Sequence, residues 1–113
     1  MKVNVSEVQD VVLNYLVAKA RGMEFTYEEH PLHEMVTLNF PTDWAQGGPI
    51  IEREGIDLDN YAKNPLWSAW MRAPKRHSGE AKAYGPTPLI AAMRCYVAGI
   101  LGDEIEVPEE LLK

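Results

Sequence analysis

"LWSAWMRAPKRHSGEAKAYGPTPLIAAMRCYVAGILG", residues 66–102, holds a strand, a polar loop, a second strand and a helix in one run. In "LWSAWMRA" Leu66 and Trp70 fall on one face of an extended chain, and Trp67 and Met71 on the other. A strand with bulk on both faces belongs at the centre of a sheet. "RAPKRHSGE" interrupts it with Pro74 and Gly79, and "AKAYG" returns as the partner strand. The helix that follows is marked at both ends. Thr87 is a natural N-cap, Pro88 suits the first helical position, and Gly102 suits the stop. Leu89, Met93, Tyr96, Val97 and Ile100 share one stripe, which predicts the side facing the core. Within this helix Cys95 reads as a packed thiol. As the single cysteine it has no internal disulfide partner, which agrees with a reducing compartment.

Working outward, "SEVQDVVLNYLVAKARG" (residues 6–22) predicts a first helix. Ser6 and Gln9 fit a capping box, Val8, Val12, Tyr15 and Leu16 recur at helical spacing, and Gly22 suits a left-handed stop. "EMVTLNF" (residues 34–40) alternates Val36, Leu38 and Phe40 against Met35, Thr37 and Asn39, as a strand does. "EFTYEE" (residues 24–29) can pair with it across His30–His33. In "TDWAQGGPIIER" (residues 42–53), Thr42 or Asp43 caps a turn containing Trp44. Gly47-Gly48 argues against a continuous helix, so Pro49 is expected to start a fresh one of barely two turns, closed by Gly55. The elements together predict an α+β fold: one small antiparallel sheet of about three to four strands with helices on both faces, a layered sandwich.

The chain has 113 residues, 46% hydrophobic and 25% charged, so one domain spanning residues 1–113 is expected. Net charge is −6, from 11 basic and 17 acidic residues, and a nucleic-acid partner is not expected. Charge is uneven. Arg72, Lys75, Arg76 and Lys82 make a local positive stretch, while "GDEIEVPEELLK" forms an acidic C-terminal tail. No apolar run is long enough to cross a bilayer, and "MKVNVSEVQD" is too polar for a signal peptide, so an intracellular protein is expected.

Two predicted helix starts, "GGPII" and "GPTPLI", follow glycine and carry proline. Free N–H groups at such a start can hold a phosphate or carboxylate. Gly47 and Gly48 leave room for close approach, Trp44 can stack on a base, and Arg53 or Arg94 can clamp an anion. With Gln46, Tyr84 and Thr87 these make up the candidate ligand-binding set. Ordinary readings stand beside it: Gly-Pro is common capping chemistry, Trp44 can be a core anchor, and Arg53 between Glu52 and Glu54 can be a solvated charge. His30 and His33 are spaced wrongly for one helix face, and His77 stands alone, so neither a metal site nor a cofactor is assigned. No catalytic residue is assigned either.

"TDWAQGGPIIEREGI" and "YGPTPLIAAMRCYV", with "VAKARG" and "GDEIEVPEELL", resemble the NinX-like family of small tailed-bacteriophage proteins. The resemblance covers most of the chain but leaves residues 57–83 unmatched. A looser likeness to phage "ABA sandwich" domains agrees with a layered fold. The family supplies no catalytic residues to carry over. It implies a phage accessory protein acting in the cytoplasm of the infected bacterium. Small proteins of that kind commonly counter host defence, some by sequestering a nucleotide signal. The leading expectation is thus a non-enzymatic binder of a phosphate-containing small molecule. A module that inhibits a host protein comes second, and a hydrolase of a signalling nucleotide, with His30, His33 or His77 as acid/base, comes third. Three tryptophans in so short a chain also suggest surface for self-association, most simply a two-fold homo-oligomer.

Overall fold

The computed structural model describes residues 1–8, 10–22, 39–60 and 66–112. Its elements run β1 (Lys2–Asn4), α1 (Asp10–Ala20), α2 (Trp44–Glu54), β2 (Asp57–Asp59), β3 (Trp67–Arg72), β4 (Glu80–Gly85), α3 (Pro88–Leu101) and β5 (Glu104–Glu106), then a 3₁₀ turn, Glu109–Leu112. Strands β2, β3 and β4 form one antiparallel sheet in that order, and β1 pairs with β5 in a separate two-stranded ladder. The class is α+β, as the sequence predicts.

β3 is the central strand. Trp70 pairs with Lys82, Ala69 with Ala83 and Met71 with Ala81, so one face carries Ala69, Met71, Ala81 and Ala83, all buried. α3 lies on this face, and Gly99 brings it close: a Cβ there would stand 2.8 Å from Met71 Cε. The other face carries Ser68, Trp70, Lys82 and Tyr84, and among the described residues no helix covers it. α1 and α2 pack instead against α3, from the side away from the sheet. That arrangement explains why burial on α3 exceeds the predicted stripe. Ala91, Ala92, Arg94, Cys95 and Ala98 are buried as well, because a helix with neighbours all round has no wet side. Ile100 is the exception to the stripe, 38% exposed in the last turn.

α3 starts and stops where predicted: the Thr87 hydroxyl accepts from the Ile90 N–H, and the Gly102 N–H donates to the Ala98 carbonyl. α1 ends before Gly22, whose φ is +83°, again as predicted. Its start differs. Residues 5–7 form a turn, and the Ser6 hydroxyl donates to Asn4 Oδ1 instead of capping the helix. A nearby Asn offers the hydroxyl a local acceptor, and such short-range bonds compete with helix formation.

The larger correction concerns α2. No helix begins at Pro49; one helix runs from Trp44 through Gly47, Gly48 and Pro49 to Glu54. Asp43 is its N-cap, accepting from the Ala45 N–H, and Gly55 closes it in the left-handed conformation. Proline here removes one bond, from residue 49 to the carbonyl of residue 45, and both residues are exposed, so that carbonyl can hydrate. Gly47 is retained for packing. Its missing Cβ would stand 2.5 Å from the Phe40 carbonyl oxygen and 2.6 Å from Leu89 Cδ1, which seats α2 on the first turn of α3.

The predicted strands at residues 24–29 and 34–38, with His30 and His33, lie outside the described residues. Asn39 and Phe40 are described, and they form the turn into α2 rather than a strand, with Asn39 accepting from the Thr42 and Asp43 N–H groups. The acidic tail is folded. Glu104 and Glu106 face outward while Ile105 and Val107 are buried, and β5 pairs Glu106 with Lys2.

Candidate functional site

The start of α3 is the meeting point of the two glycine–proline motifs. Gly47 touches Leu89, the second residue of α3, and Trp44 stands one helical turn before Gly48, with its ring 3.9 Å from where a Gly48 Cβ would be. Trp44 is 53% exposed, so it is not a core anchor. Tyr84, three residues before Thr87 at the end of β4, is 47% exposed on the open sheet face. Trp44 on α2 and Tyr84 on β4 are thus both exposed aromatic residues. α3 carries no acidic residue in its first turn, so its positive end is not neutralised from within. Its donors are few. Pro88 has no N–H and Thr87 takes that of Ile90, leaving the Leu89 N–H and the field of the helix.

The remaining candidates are built into the scaffold. Gln46 Nε2 donates to Asp43 Oδ2, and its Oε1 accepts from the Asn39 N–H, which ties the turn to α2. The Asp43 carboxylate itself fills the N-terminus of α2, so the "GGPII" amides lie inside a helix whose positive end already holds an anion. Arg94 is 9% exposed; its Nε donates to the Val8 carbonyl and its Nη1 to the Tyr84 carbonyl. It joins the entry to α1 to the end of β4, and desolvation alone lowers its pKa. Arg53 lies in the last turn of α2, remote from Trp44, with Nε on Glu54 Oε2 at 2.9 Å and Nη2 at 3.4 Å from the Tyr96 hydroxyl. The structure thus seats Gly47 of α2 on Leu89 at the start of α3 and ties Arg94 to the Tyr84 carbonyl, while Arg53 is engaged with Glu54 and Tyr96 at the far end of α2.

Cys95 is fully buried, with Sγ donating to the Ala81 carbonyl at 3.4 Å, and burial pushes its thiol up to about 12. A thiol so held is no nucleophile at neutral pH. Among the described residues no group of three or more His, Cys, Asp and Glu side chains is placed to hold a metal ion, and His77 is exposed. Of the described helices, none is long and apolar enough to cross a membrane.

What the fold and this surface define is a small α+β domain that exposes Trp44 on α2 and Tyr84 near the end of β4. The chain belongs to the bacteriophage P22 NinX family, whose model matches residues 4–99. The match runs through residues 57–83, the segment the motif resemblance leaves out. No curated protein matches the chain.

Proposed function

We propose that this NinX-family chain is a phage accessory protein that works by capture rather than catalysis. It acts in the cytoplasm of the infected bacterium and holds a phosphate-containing small molecule, of the nucleotide class, withdrawing a host defence signal. The observation that carries the reading is the exposed Trp44 indole on the helix that Gly47 seats against the first turn of α3, a helix start with no acidic residue of its own. An aromatic ring offers a base a stacking surface, and a helix start attracts phosphate. Gly48 keeps the side of α2 next to Trp44 open.

A second reading rests on the same aromatic groups. No cation of the candidate set stands free beside Trp44, since Arg94 is engaged with two carbonyls, and exposed Trp and Tyr are also what protein partners use. In that case the chain inhibits a host protein.

The test is to incubate the protein with candidate signalling nucleotides, remove the filtrate, denature the protein by heat and analyse what is released. Capture predicts intact nucleotide, and Trp44→Ala should weaken retention about ten- to a hundredfold with the fold unchanged. Cleaved product would put the hydrolase reading first. Retention of no nucleotide from any class tested would leave the protein-binding reading.

A further inference from the structure

The outer face of the β2–β3–β4 sheet is ordered by charge across its strands. Asp57 pairs with Trp70 and Trp70 with Lys82, so one row reads carboxylate, indole, ammonium from β2 to β4. The next row, Asp59, Ser68 and Tyr84, reads carboxylate, hydroxyl, phenol. Residues directly opposite in an antiparallel pair share a face, so both rows stand on the side away from α3. Strands about 4.8 Å apart put Asp57 and Lys82 roughly 10 Å from each other, with Trp70 between, too far for an ion pair within the chain. Among the described residues none of Asp57, Asp59 and Lys82 has an ion-pair partner, and all three are exposed. At the end of the face Arg72 and Glu80 stand opposite each other and balance in charge.

The open face of an antiparallel sheet is ordinarily polar, yet this one holds a part-exposed Trp70 at its centre and Tyr84, 47% exposed, on β4. The Trp70 indole N–H donates to Glu80 Oε2 at 2.9 Å, so the ring can be covered without stranding a polar group. A row that is negative at one end and positive at the other is complementary to its own copy turned end for end. A two-fold axis parallel to β3 makes that turn: β2 of one protomer lies over β4 of its partner, and each row keeps its level. Asp57 then faces Lys82 of the partner subunit, and the Tyr84 hydroxyl faces Asp59 of the partner subunit. Each contact occurs twice, and the two Trp70 rings meet at the axis. Packed sheets lie about 10 Å apart, a gap that an aspartate and a lysine side chain span together. A nucleic acid would meet the carboxylates of Asp57 and Asp59, and a basic peptide would meet Lys82. A second copy answers both signs at once.

We propose that this sheet face is the interface of a two-fold homodimer, with β2 of each protomer over β4 of the other. The face is three strands wide, so the interface belongs to the small, reversible class and the dimer forms as concentration rises. Trp44 lies on α2, which packs on α3 from the side away from the sheet, and the dimer does not rest on the capture reading above.

Sedimentation equilibrium of the wild-type chain from about 10 µM to about 1 mM should show monomer and dimer in exchange. Asp57→Lys and Lys82→Asp each set like charges face to face and should weaken association about tenfold or more. Both side chains are exposed, so the urea midpoint of either variant should hardly move. Mixed in equal amounts, the two variants should form a heterodimer and regain the lost association, because each swapped charge then meets its opposite. Trp70→Ala should also weaken the dimer about tenfold. A monomer at every concentration would overturn the proposal and leave the face to another occupant. Single variants that dimerise like wild type would overturn it too, as would a mixture that gains nothing over either variant alone. Trp44→Ala should leave association unchanged whatever it does to nucleotide retention, so the two readings fail separately.

Discussion

A methyl group added at Gly47 would stand 2.5 Å from the Phe40 carbonyl oxygen and 2.6 Å from Leu89 Cδ1, whereas one added at Gly48 would meet only the Trp44 ring at 3.9 Å. The obstacle at Gly47 is backbone and cannot rotate away. Both positions lie in α2, where alanine is favoured over glycine by about 1 kcal/mol. Gly47→Ala should therefore lose more from the clash than it gains, a net cost of about 1–3 kcal/mol. Gly48→Ala should be neutral or stabilising by up to about 1 kcal/mol. Urea denaturation of the two variants reads the sign directly; equal shifts in the same direction would mean α2 does not seat on Leu89. Sequence marked both glycines as a helix interruption. What it lacked was the neighbour: only the approach of α3 distinguishes a glycine needed for space from one that merely lowers propensity.

Between elements, one side chain fastens the β3–β4 loop to the end of α3. Arg76 Nη1 donates to the Ala98 carbonyl at 2.8 Å, and its two Nη groups grip both oxygens of Asp103 at 3.1 Å. Arg76 is largely covered while Asp103 is 67% exposed. Solvent screens the carboxylate, so its share of the clamp is small, under about 1 kcal/mol. The carbonyl bond and the packed stem of Arg76 count for more. Arg76→Ala should cost about 1–2 kcal/mol, and Asp103→Asn clearly less, with raised amide exchange over residues 73–79 in the arginine variant. An equal loss from both would assign the clamp to the ion pair instead. The sequence offered Arg72, Lys75, Arg76 and Lys82 as a local positive stretch; folding brings Arg76 against Asp103, just beyond α3.

For the molecule as a whole, the buried ionisable groups set a limit on the alkaline side. Burial pushes the Cys95 thiol from its ordinary 9.0 to about 12, with Arg76 opposing, and burial also raises Tyr15 and Tyr96 above 10.0. In each case the fold favours the neutral form. Their contribution is fully present below the ordinary values and is lost as pH climbs through them toward the folded ones. The urea midpoint should stay level near neutrality and fall as pH rises from about 9 toward about 12. Cys95→Ala should flatten the first part of that fall; an unchanged profile in this variant would mean the thiol is not held in the core.

Sequence by itself determined the class and the strongest elements. Thr87, Pro88 and Gly102 bracket α3, bulk on both faces of "LWSAWMRA" gives the central strand with "AKAYG" returning as its partner, and Gly22 stops α1, because caps and strand patterns act over a few residues and are written locally. The motifs at residues 42–56 and 84–97 also placed the chain in its family. Only the tertiary structure decided the rest. Pro49 and the glycine pair pass inside one helix because α3 rewards close approach at Gly47, and the tail becomes β5 because β1 reaches it from the other end of the chain. The arginines were legible as candidate clamps but not as what they are. Arg94 is drawn inward by two carbonyls, Val8 and Tyr84, and Arg53 reaches the Tyr96 hydroxyl, contacts between residues distant in sequence that no local pattern encodes.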